Sequence, residues 1–337
     1  MKIAVLGLGF MGSTHLKALA RIPQAELVAV SSDDARQLVG DLTGVQGNIG
    51  GPGERMDFSH LATYRDWHQA ILDPQAEAVD ICLPTNLHAP AAIAALDAGK
   101  HVLVEKPMAL DAASADAMLD AARRSGRILV VAQVLRFFPS YRAMIELVKS
   151  GRLGPVRAAS FRRRSAAPSW SPWLLTAKIS GGAVFDLLVH DLDMCLHLFG
   201  PPEAVSAVGC QDLSHGLDLV TAQLHYPGLV SAVSGGWYQP ASFPFSMEYS
   251  VVCDEGVVEY SSSTAAPVLY GQGGQAVLEI GGVDGYQAEI EYFVDCCIHQ
   301  RQPDLCPPDE SAQAVRLADL VLESREKRGE RIPWKSA

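Results

Sequence analysis

Several features that would mark other protein classes are scarce or missing in this chain. Basic residues are outnumbered, with 27 Lys+Arg against 38 Asp+Glu and a net charge of −11. A protein that neutralises phosphates needs the opposite balance, so neither a nucleic-acid partner nor docking on an anionic membrane is expected. Cysteine is limited to seven residues, an odd number, and no C-x-x-C occurs. That argues against a disulfide framework and a paired-cysteine zinc site, and fits a reduced, cytoplasmic chain. Long apolar runs are absent as well. The longest uncharged stretch near the start, Ile3–Leu16, has 14 residues and three glycines, short of the roughly 20 apolar residues of a membrane span. The same glycines, with no A-x-A-like site after them, argue against a leader peptide. Internal repeats and low-complexity tracts are not seen.

What remains is ordinary globular composition, 48 % hydrophobic and 19 % charged over 337 residues. That length suits two domains at roughly 150 residues each. In the first third, short Val/Ile/Leu-rich runs alternate with helical patterns. Lys2–Leu6, Leu27–Val30, Ala78–Leu83, His101–Glu105 and Ile128–Ala132 read as strands, with helices such as Ala89–Ala98 and Ala112–Ser125 between them. The apolar runs barely alternate, as in strands covered on both faces, so residues 1–134 are expected to form a doubly wound parallel α/β domain. The segment Gly40–Gly53, with six glycines, reads as a long loop.

Residues 135–337 have a different character. Val156–Phe161, Asp218–Tyr226, Leu229–Val233 and Met247–Val252 read as strands, with Pro227-Gly228 as a tight turn between two of them. Asp218–Tyr226 alternates Val220, Ala222 and Leu224 with Thr221, Gln223 and His225, which suits an antiparallel sheet with one polar or interfacial face. Helical patterns cover Ser140–Lys149, Val184–Phe199 and Gln287–His299, and a last helix runs from near Asp309 to before Gly329. The expectation is an α/β domain with an open, largely antiparallel sheet.

Chemistry concentrates at strand ends. Residues 7–12, Gly-Leu-Gly-Phe-Met-Gly, follow a strand and open a helix, the context in which G-x-G-x-x-G binds a dinucleotide. Gly7 permits the tight turn, Gly9 lets a pyrophosphate approach, and Gly12 lets helix pack on strand, with the helix N-terminus facing the phosphates. About 20 residues on, where an acid usually holds the ribose, stands Ser32. Ser32 and Arg36 favour a 2′-phosphate, whereas Asp33 and Asp34 oppose it, so NAD and NADP both stay open. Ligands of such sheets bind beyond the carboxyl ends of strands. The expected cofactor contacts are therefore Gly7, Gly9, Phe10, Met11 and Gly12, then Ser32, Asp33 and Arg36, then Leu83, Pro84, Thr85, Asn86 and His88, then Glu105, Lys106 and Gln133. The proline after Lys106 fixes the backbone and aims the lysine across the crevice.

Gly181–Gly200 carries Asp186, His190, Asp193 and His197 at i, i+4, i+7 and i+11. On a regular helix these fall within about 60° of one another, a polar stripe on an otherwise apolar helix. Buried polar groups need a reason. A metal site, a satisfied structural network and acid/base chemistry would each supply one. Acid/base chemistry is preferred, with His190 titrating and Asp186 orienting it, and no metal is expected. Arg136, Trp173, Trp237 and Tyr238 lie in stretches that could line a substrate cleft, with ordinary core packing the competing and preferred reading for each Trp or Tyr, and Arg162-Arg163-Arg164 reads as a solvated edge rather than an anion-recognition patch.

Taken together, GLGFMG, PTNLH, the run Ala98–Pro107 (AGKHVLVEKP) and the D-x-x-x-H-D element resemble the Gfo/Idh/MocA oxidoreductases. Arg136–Pro139, Ser150–Gly154 and the Glu289–His299 helix match as well. The resemblance implies a Rossmann domain followed by a substrate and oligomerisation domain. It implies NAD(P)-dependent hydride transfer on a sugar, cyclitol or other polyhydroxylated small molecule, and a homodimer or homotetramer built through the open sheet. It places the catalytic lysine, aspartate and histidine at Lys106, Asp186 and His190. Asp186, His190, Arg136, Trp173 and Tyr238 are the expected substrate contacts. Leu188 departs from the glycine that the family often has two residues before its histidine. Two other readings stay open: a glycosidase that oxidises its sugar transiently with bound NAD, and a non-catalytic dinucleotide-binding regulator.

Overall fold

The structure, a computed structural model, describes residues 1–48 and 53–335. Its first elements are β1 (Lys2–Leu6), α1 (Phe10–Leu19), β2 (Glu26–Ser31), α2 (Ala35–Leu38), β3 (Ala62–Tyr64), α3 (Trp67–Ile71), β4 (Ala78–Ile81), α4 (His88–Asp97), β5 (His101–Glu105), α5 (Ala112–Ser125) and β6 (Leu129–Ala132). The six strands pair in parallel in the order β3-β2-β1-β4-β5-β6. This is the doubly wound arrangement, with the order reversing between β1 and β4. Every residue of β4, β5 and β6 is buried, which explains the unbroken apolar runs. The edge strand β3 escapes sequence reading because three half-exposed residues carry too little pattern. Part of the Gly40–Gly53 loop, residues 49–52, lies outside the described residues.

The second group of elements is α6 (Pro139–Lys149), β7 (Val156–Ala166), α7 (Ala177–Ser180), α8 (Val189–Phe199), β8 (Ala204–Asp212), β9 (Leu217–Tyr226), β10 (Leu229–Gln239), β11 (Ser246–Cys253), β12 (Gly256–Ser261), β13 (Val268–Gly271) and β14 (Gly274–Val277). Then come α9 (Gly285–Ile298), α10 (Pro308–Glu326) and β15 (Ile332–Pro333). Nine strands form one sheet in the order β14-β13-β12-β11-β7-β10-β9-β8-β15, antiparallel except for the parallel pair β7–β10. In β9 the apolar set Val220, Ala222 and Leu224 is buried and Thr221 and Gln223 are exposed, as the alternation predicts. β7 and β10 run longer than their apolar cores suggest. β8 went unread because its second half is exposed and interrupted by Gly209.

The chain divides into two compact units: Met1–Val134 with Asp284–Ala312, and Leu135–Val283 with Gln313–Ala337. The first boundary falls where the sequence changes character. The assignment of all of 135–337 to one domain is corrected, because residues 284–312 return to the first unit. There α9 packs beside α1 and β5, and Cys306 Sγ donates to the Val131 carbonyl oxygen at 3.2 Å. No apolar pattern reveals such a return, since it is set by which surface α9 covers.

Candidate active site

At the carboxyl end of β1, Gly7 has φ +91°, a conformation that favours glycine, and an added Cβ would lie 2.6 Å from the Cys82 carbonyl oxygen. At Gly12 an added Cβ would meet the Gly7 carbonyl oxygen at 1.9 Å. Gly9 differs: its Cβ would meet nothing within 4 Å. The turn is therefore closed on the protein side and open at its middle glycine. Gly9 is also the N-cap of α1 and supplies no side-chain hydrogen bond to the helix. The first amides of α1 are left to an anion, the demand a pyrophosphate meets. Phe10 and Met11, half-buried, form this first turn.

Past β2, Ser32 is buried and its hydroxyl donates to Gln37 Oε1 at 2.5 Å while accepting from the Asp34 amide at 3.1 Å. Asp34 caps α2 by accepting from the Arg36 amide at 2.8 Å, and also holds the Arg36 guanidinium, Nη2 to Oδ2, at 2.8 Å. The Arg36 guanidinium, exposed at the surface, is thus partly matched by Asp34. That pairing holds the Asp34 carboxyl below its ordinary range. Asp33 is exposed beside them.

Three more strand ends meet this edge of the sheet. After β4, Leu83 and Pro84 are half-buried, Thr85 is buried and Asn86 is exposed. His88 is buried, with its ring nitrogens 2.8 Å from the carbonyl oxygens of Pro107 and Leu83. Its ring ties the loop after β4 to the loop after β5. Burial pulls its pKa below the ordinary value, with the two carbonyls offsetting part of the effect. After β5, the Lys106–Pro107 peptide bond is cis. The Glu105 side chain makes internal contacts. It is buried, with Oε2 accepting from the Lys106 amide at 2.9 Å and Oε1 lying 3.1 Å from His15 Nε2. After β6, the Gln133 carboxamide is buried with no hydrogen-bond partner among the described residues. An uncapped helix, an open glycine and an orphaned amide at one sheet edge fit a dinucleotide with its carboxamide end.

In the second unit, the stripe residues begin in a π-turn, Val184–Leu188, which runs into α8. The i→i+5 turn alters the spacing assumed for a regular helix. Asp186 sits within this turn, half-buried, and His190 is buried at the start of α8. Leu188, the departure noted above, is buried here. The turn is anchored from outside. Asp218, fully buried, accepts from the Ala183 amide at 2.8 Å, from Gln211 Nε2 at 3.0 Å and from Arg325 Nη1 at 2.6 Å. The rest of the stripe is structural. Asp193 holds Arg136 through Nε at 2.8 Å and Nη2 at 2.6 Å, both residues buried. His197 lies 2.8 Å from Lys149 Nζ.

Arg136, expected as a substrate contact, has its charge matched inside the protein by Asp193. Trp237 is 1 % exposed and packs with Ala183 and Leu187, so it is core rather than a platform for a sugar. Trp173 is half-buried and Tyr238 exposed, so both remain accessible. The arginine triplet is not one solvated edge. Arg162 and Arg164 pair with Glu248, whereas Arg163 is buried on Asp191, with Nε to Oδ2 at 3.0 Å and Nη2 to Oδ1 at 2.9 Å. Sequence reading missed Asp191, Asp218 and Arg325, and with them His15, Asp80 and Glu289. His15, Asp80, Asp191 and Asp218 are titratable residues close to apolar runs, a signal that could have found them, whereas Arg325 stands in the charged run Glu323–Arg331 and carries no such mark.

Comparison with known proteins follows the same division. Residues 1–133 match the family description "Oxidoreductase family, NAD-binding Rossmann fold", and residues 141–259 match the GFO/IDH/MocA C-terminal domain. The myo-inositol 2-dehydrogenase of Thermotoga maritima is 32 % identical over 202 residues, 59 % of this chain and 55 % of that protein. The 4-carboxy-2-hydroxymuconate-6-semialdehyde dehydrogenase of a Sphingobium species is 31 % identical over 76 % of this chain and 78 % of its own length. The chain spans about half the length of several other curated relatives. In fold it is similar to a levoglucosan dehydrogenase solved with NADH and levoglucosan, with TM-score 0.85 and 21 % identity, covering 99 % of this chain and 100 % of that one. Matched in both units, and over most of a relative's length, the chain belongs to the Gfo/Idh/MocA oxidoreductase family, and its first unit carries that family's NAD-binding Rossmann fold.

Proposed function

We propose that this protein is a dinucleotide-dependent dehydrogenase or reductase acting on a hydroxyl or keto carbon of a sugar, cyclitol or related polyol. The observation that carries this reading is the position of Lys106, directly after β5 on the sheet edge that also holds the open Gly9 turn. When bound, the nicotinamide supplies the hydride acceptor or donor. The chain's own groups do the rest. In the oxidative direction His190 takes the hydroxyl proton as general base, and returns it as general acid in reduction. The Lys106 ammonium donates to the reacting oxygen and stabilises the charge that develops there. Asp186 orients His190 or an adjacent substrate hydroxyl. Trp173 and Tyr238 offer aromatic faces to the apolar side of a ring.

Names of relatives support the substrate class: inositol and levoglucosan dehydrogenases and a 1,5-anhydro-D-fructose reductase are among them. The Arg36–Asp34 pair favours NAD over NADP. The exposed face of the nine-stranded sheet, with Val230 and Val208 exposed on it, is the surface through which copies of the chain would pair in a reduced, cytoplasmic setting. Among the described residues no helix is long and apolar enough to cross a membrane. The test is absorbance at 340 nm with NAD⁺ or NADP⁺ and a panel of sugars, cyclitols and sugar acids. Reduced dinucleotide should accumulate with at least one polyol. Tight dinucleotide binding without any absorbance change would overturn the dehydrogenase reading, and glycoside cleavage under those conditions would replace it with the hydrolytic one.

A further inference from the structure

Within the first unit, four titratable side chains from four elements meet in a buried cluster that plays no part in the mechanism above. His15 projects from α1, Asp80 from β4, Glu105 from the end of β5 and Glu289 from α9. All four are between 0 % and 5 % exposed. His15 Nδ1 lies 2.9 Å from Asp80 Oδ2, and its Nε2 lies 3.1 Å from Glu105 Oε1 and 3.9 Å from Glu289 Oε1. Neither carboxyl oxygen of Glu289 has a hydrogen-bond partner among the described residues. Glu105 uses its other oxygen to accept from the Lys106 amide.

We propose that Glu289 is a positioning residue for Lys106, acting through His15 and Glu105. The proposal rests on the reading that Lys106 polarises the reacting oxygen. Glu289 faces the His15–Glu105 pair at 3.9 Å, His15 Nε2 lies 3.1 Å from Glu105 as an ion-pair contact without an aligned hydrogen bond, and Glu105 accepts from the backbone of the residue that follows it. Glu289 is supplied by the segment that returns to this unit after residue 283.

The charge states follow from burial and neighbours. Burial opposes a charged ring at His15, but the Asp80 carboxylate more than offsets it, and the imidazole is held well above its ordinary pKa. Burial likewise opposes ionisation of Glu105, but His15 and then Lys106 bring it below the usual carboxylate range. Glu289 goes the other way. Burial lifts its carboxyl well above the ordinary value, and Glu105 and Asp80 add to the rise against the pull of His15. A third carboxylate in this space would be uncompensated, so burial and its neighbours favour the neutral acid at Glu289.

His15, Glu105 and Glu289 also have the spacing of a metal-ligand set, so a stoichiometric metal is one outcome of the test below. Other groups facing the cluster are Cys82 beside β4, His88 from α4, Lys106 after β5, and Asp284 and Tyr286 at the start of α9. Of these, only Lys106 contributes a fixed positive charge.

The test compares Glu289→Leu with Glu289→Gln in the full-length protein. We expect Glu289→Leu to lower kcat about tenfold, with the KM for dinucleotide little changed, because the interaction serves the lysine rather than binding. Glu289→Gln keeps a neutral polar group of the same shape and should recover most of that loss. Equal loss in both variants, or lowered Tm with unchanged kcat, would overturn the proposal.

A second arm needs no turnover. In ligand-free protein at neutral pH, NMR should show His15 protonated on both nitrogens, and the Lys106 amide resonance should move in Glu289→Leu. A neutral His15, an unmoved Lys106 amide, or a stoichiometric metal in the dialysed protein would each sink it. If this arm succeeds while no polyol is oxidised, the reading of function has failed and the network stands.

Discussion

Arg163 and Asp191 form a fork-to-fork ion pair with both side chains almost completely buried, and Asp191 is the residue immediately after His190. The position of the proposed base is therefore set from β7 of the neighbouring sheet. Breaking a buried pair from one side leaves an unmatched charge, which costs about 3–5 kcal/mol. Arg163→Met should lower stability to urea by about that amount and depress kcat. The double variant Arg163→Met, Asp191→Asn should regain much of the stability. A loss under about 1 kcal/mol would mean that the pair is dispensable.

Lys106 and His190 give the sharpest kinetic test. Replacing His190 with Ala should cost about 10²–10⁴-fold in kcat, the usual share of general acid–base help. Lys106→Met should cost about 10²–10³-fold, the scale of losing one donor to a developing oxyanion. Dinucleotide affinity, measured by calorimetry, should change far less than kcat in the His190 variant. Near-wild-type turnover of His190→Ala would remove it from the mechanism.

The two inner glycines of the turn should respond differently. An alanine at Gly12 would press on the Gly7 carbonyl oxygen, so both Tm and dinucleotide binding should fall. An alanine at Gly9 meets no protein atom, so Tm should hold while dinucleotide Kd rises about tenfold or more, an effect of about 1.4 kcal/mol. Thermal shift with and without NAD⁺ separates the two cases. Unchanged Kd for Gly9→Ala would show that the phosphates lie elsewhere.

Cofactor choice should turn on Asp34. Asp34→Ala releases Arg36 and removes a carboxylate from the ribose rim, so the kcat/KM ratio of NADP⁺ to NAD⁺ should rise about 3- to 10-fold, as expected of exposed charges. Adding Arg36→Ala should cancel the gain. A ratio unmoved by Asp34→Ala would mean that Arg36 does not face the ribose.

His88 predicts a pH effect with a definite sign. Its folded pKa lies below the ordinary value, so the unfolded chain binds the proton first as pH falls. The contribution of the neutral ring is present above about pH 6.5 and is lost as pH drops toward the folded pKa. Urea stability between pH 7 and 5 should fall more steeply in the wild type than in His88→Gln. Parallel slopes would show that other groups dominate this window.

Much of the first unit was legible because two local signals coincide there. Strands buried on both faces leave unbroken apolar runs, and a glycine turn after the first of them is a short-range feature. Lys106 stands out in sequence for its place directly after a strand, and Asp186 and His190 for a polar stripe on an apolar helix; their catalytic roles belong to the proposal. The supports of these residues could not be named from sequence, because each pair joins distant segments: Arg163 with Asp191, Arg325 with Asp218, His15 with Glu289. Sequence shows that a charge stands in an apolar stretch, but not which opposite charge will reach it. Arg136 illustrates the cost. Read alone it suits an acidic ligand, and only the fold discloses Asp193 against it. The π-turn at Val184–Leu188 was invisible as well, since it changes the spacing of a helix without changing its composition.

The return of residues 284–312 to the first unit has a consequence for the order of events during synthesis. By the time Val134 leaves the ribosome all six strands of the parallel sheet exist, yet Glu289 and the covering helix do not. At roughly 5–20 residues per second they follow on the order of ten to tens of seconds later. Until then the side of the sheet that α9 will cover stays exposed, and the buried acid that completes the His15 cluster is missing. The nucleotide-binding unit therefore begins folding first and is completed only after residues 135–283, the larger part of the other unit, have been made.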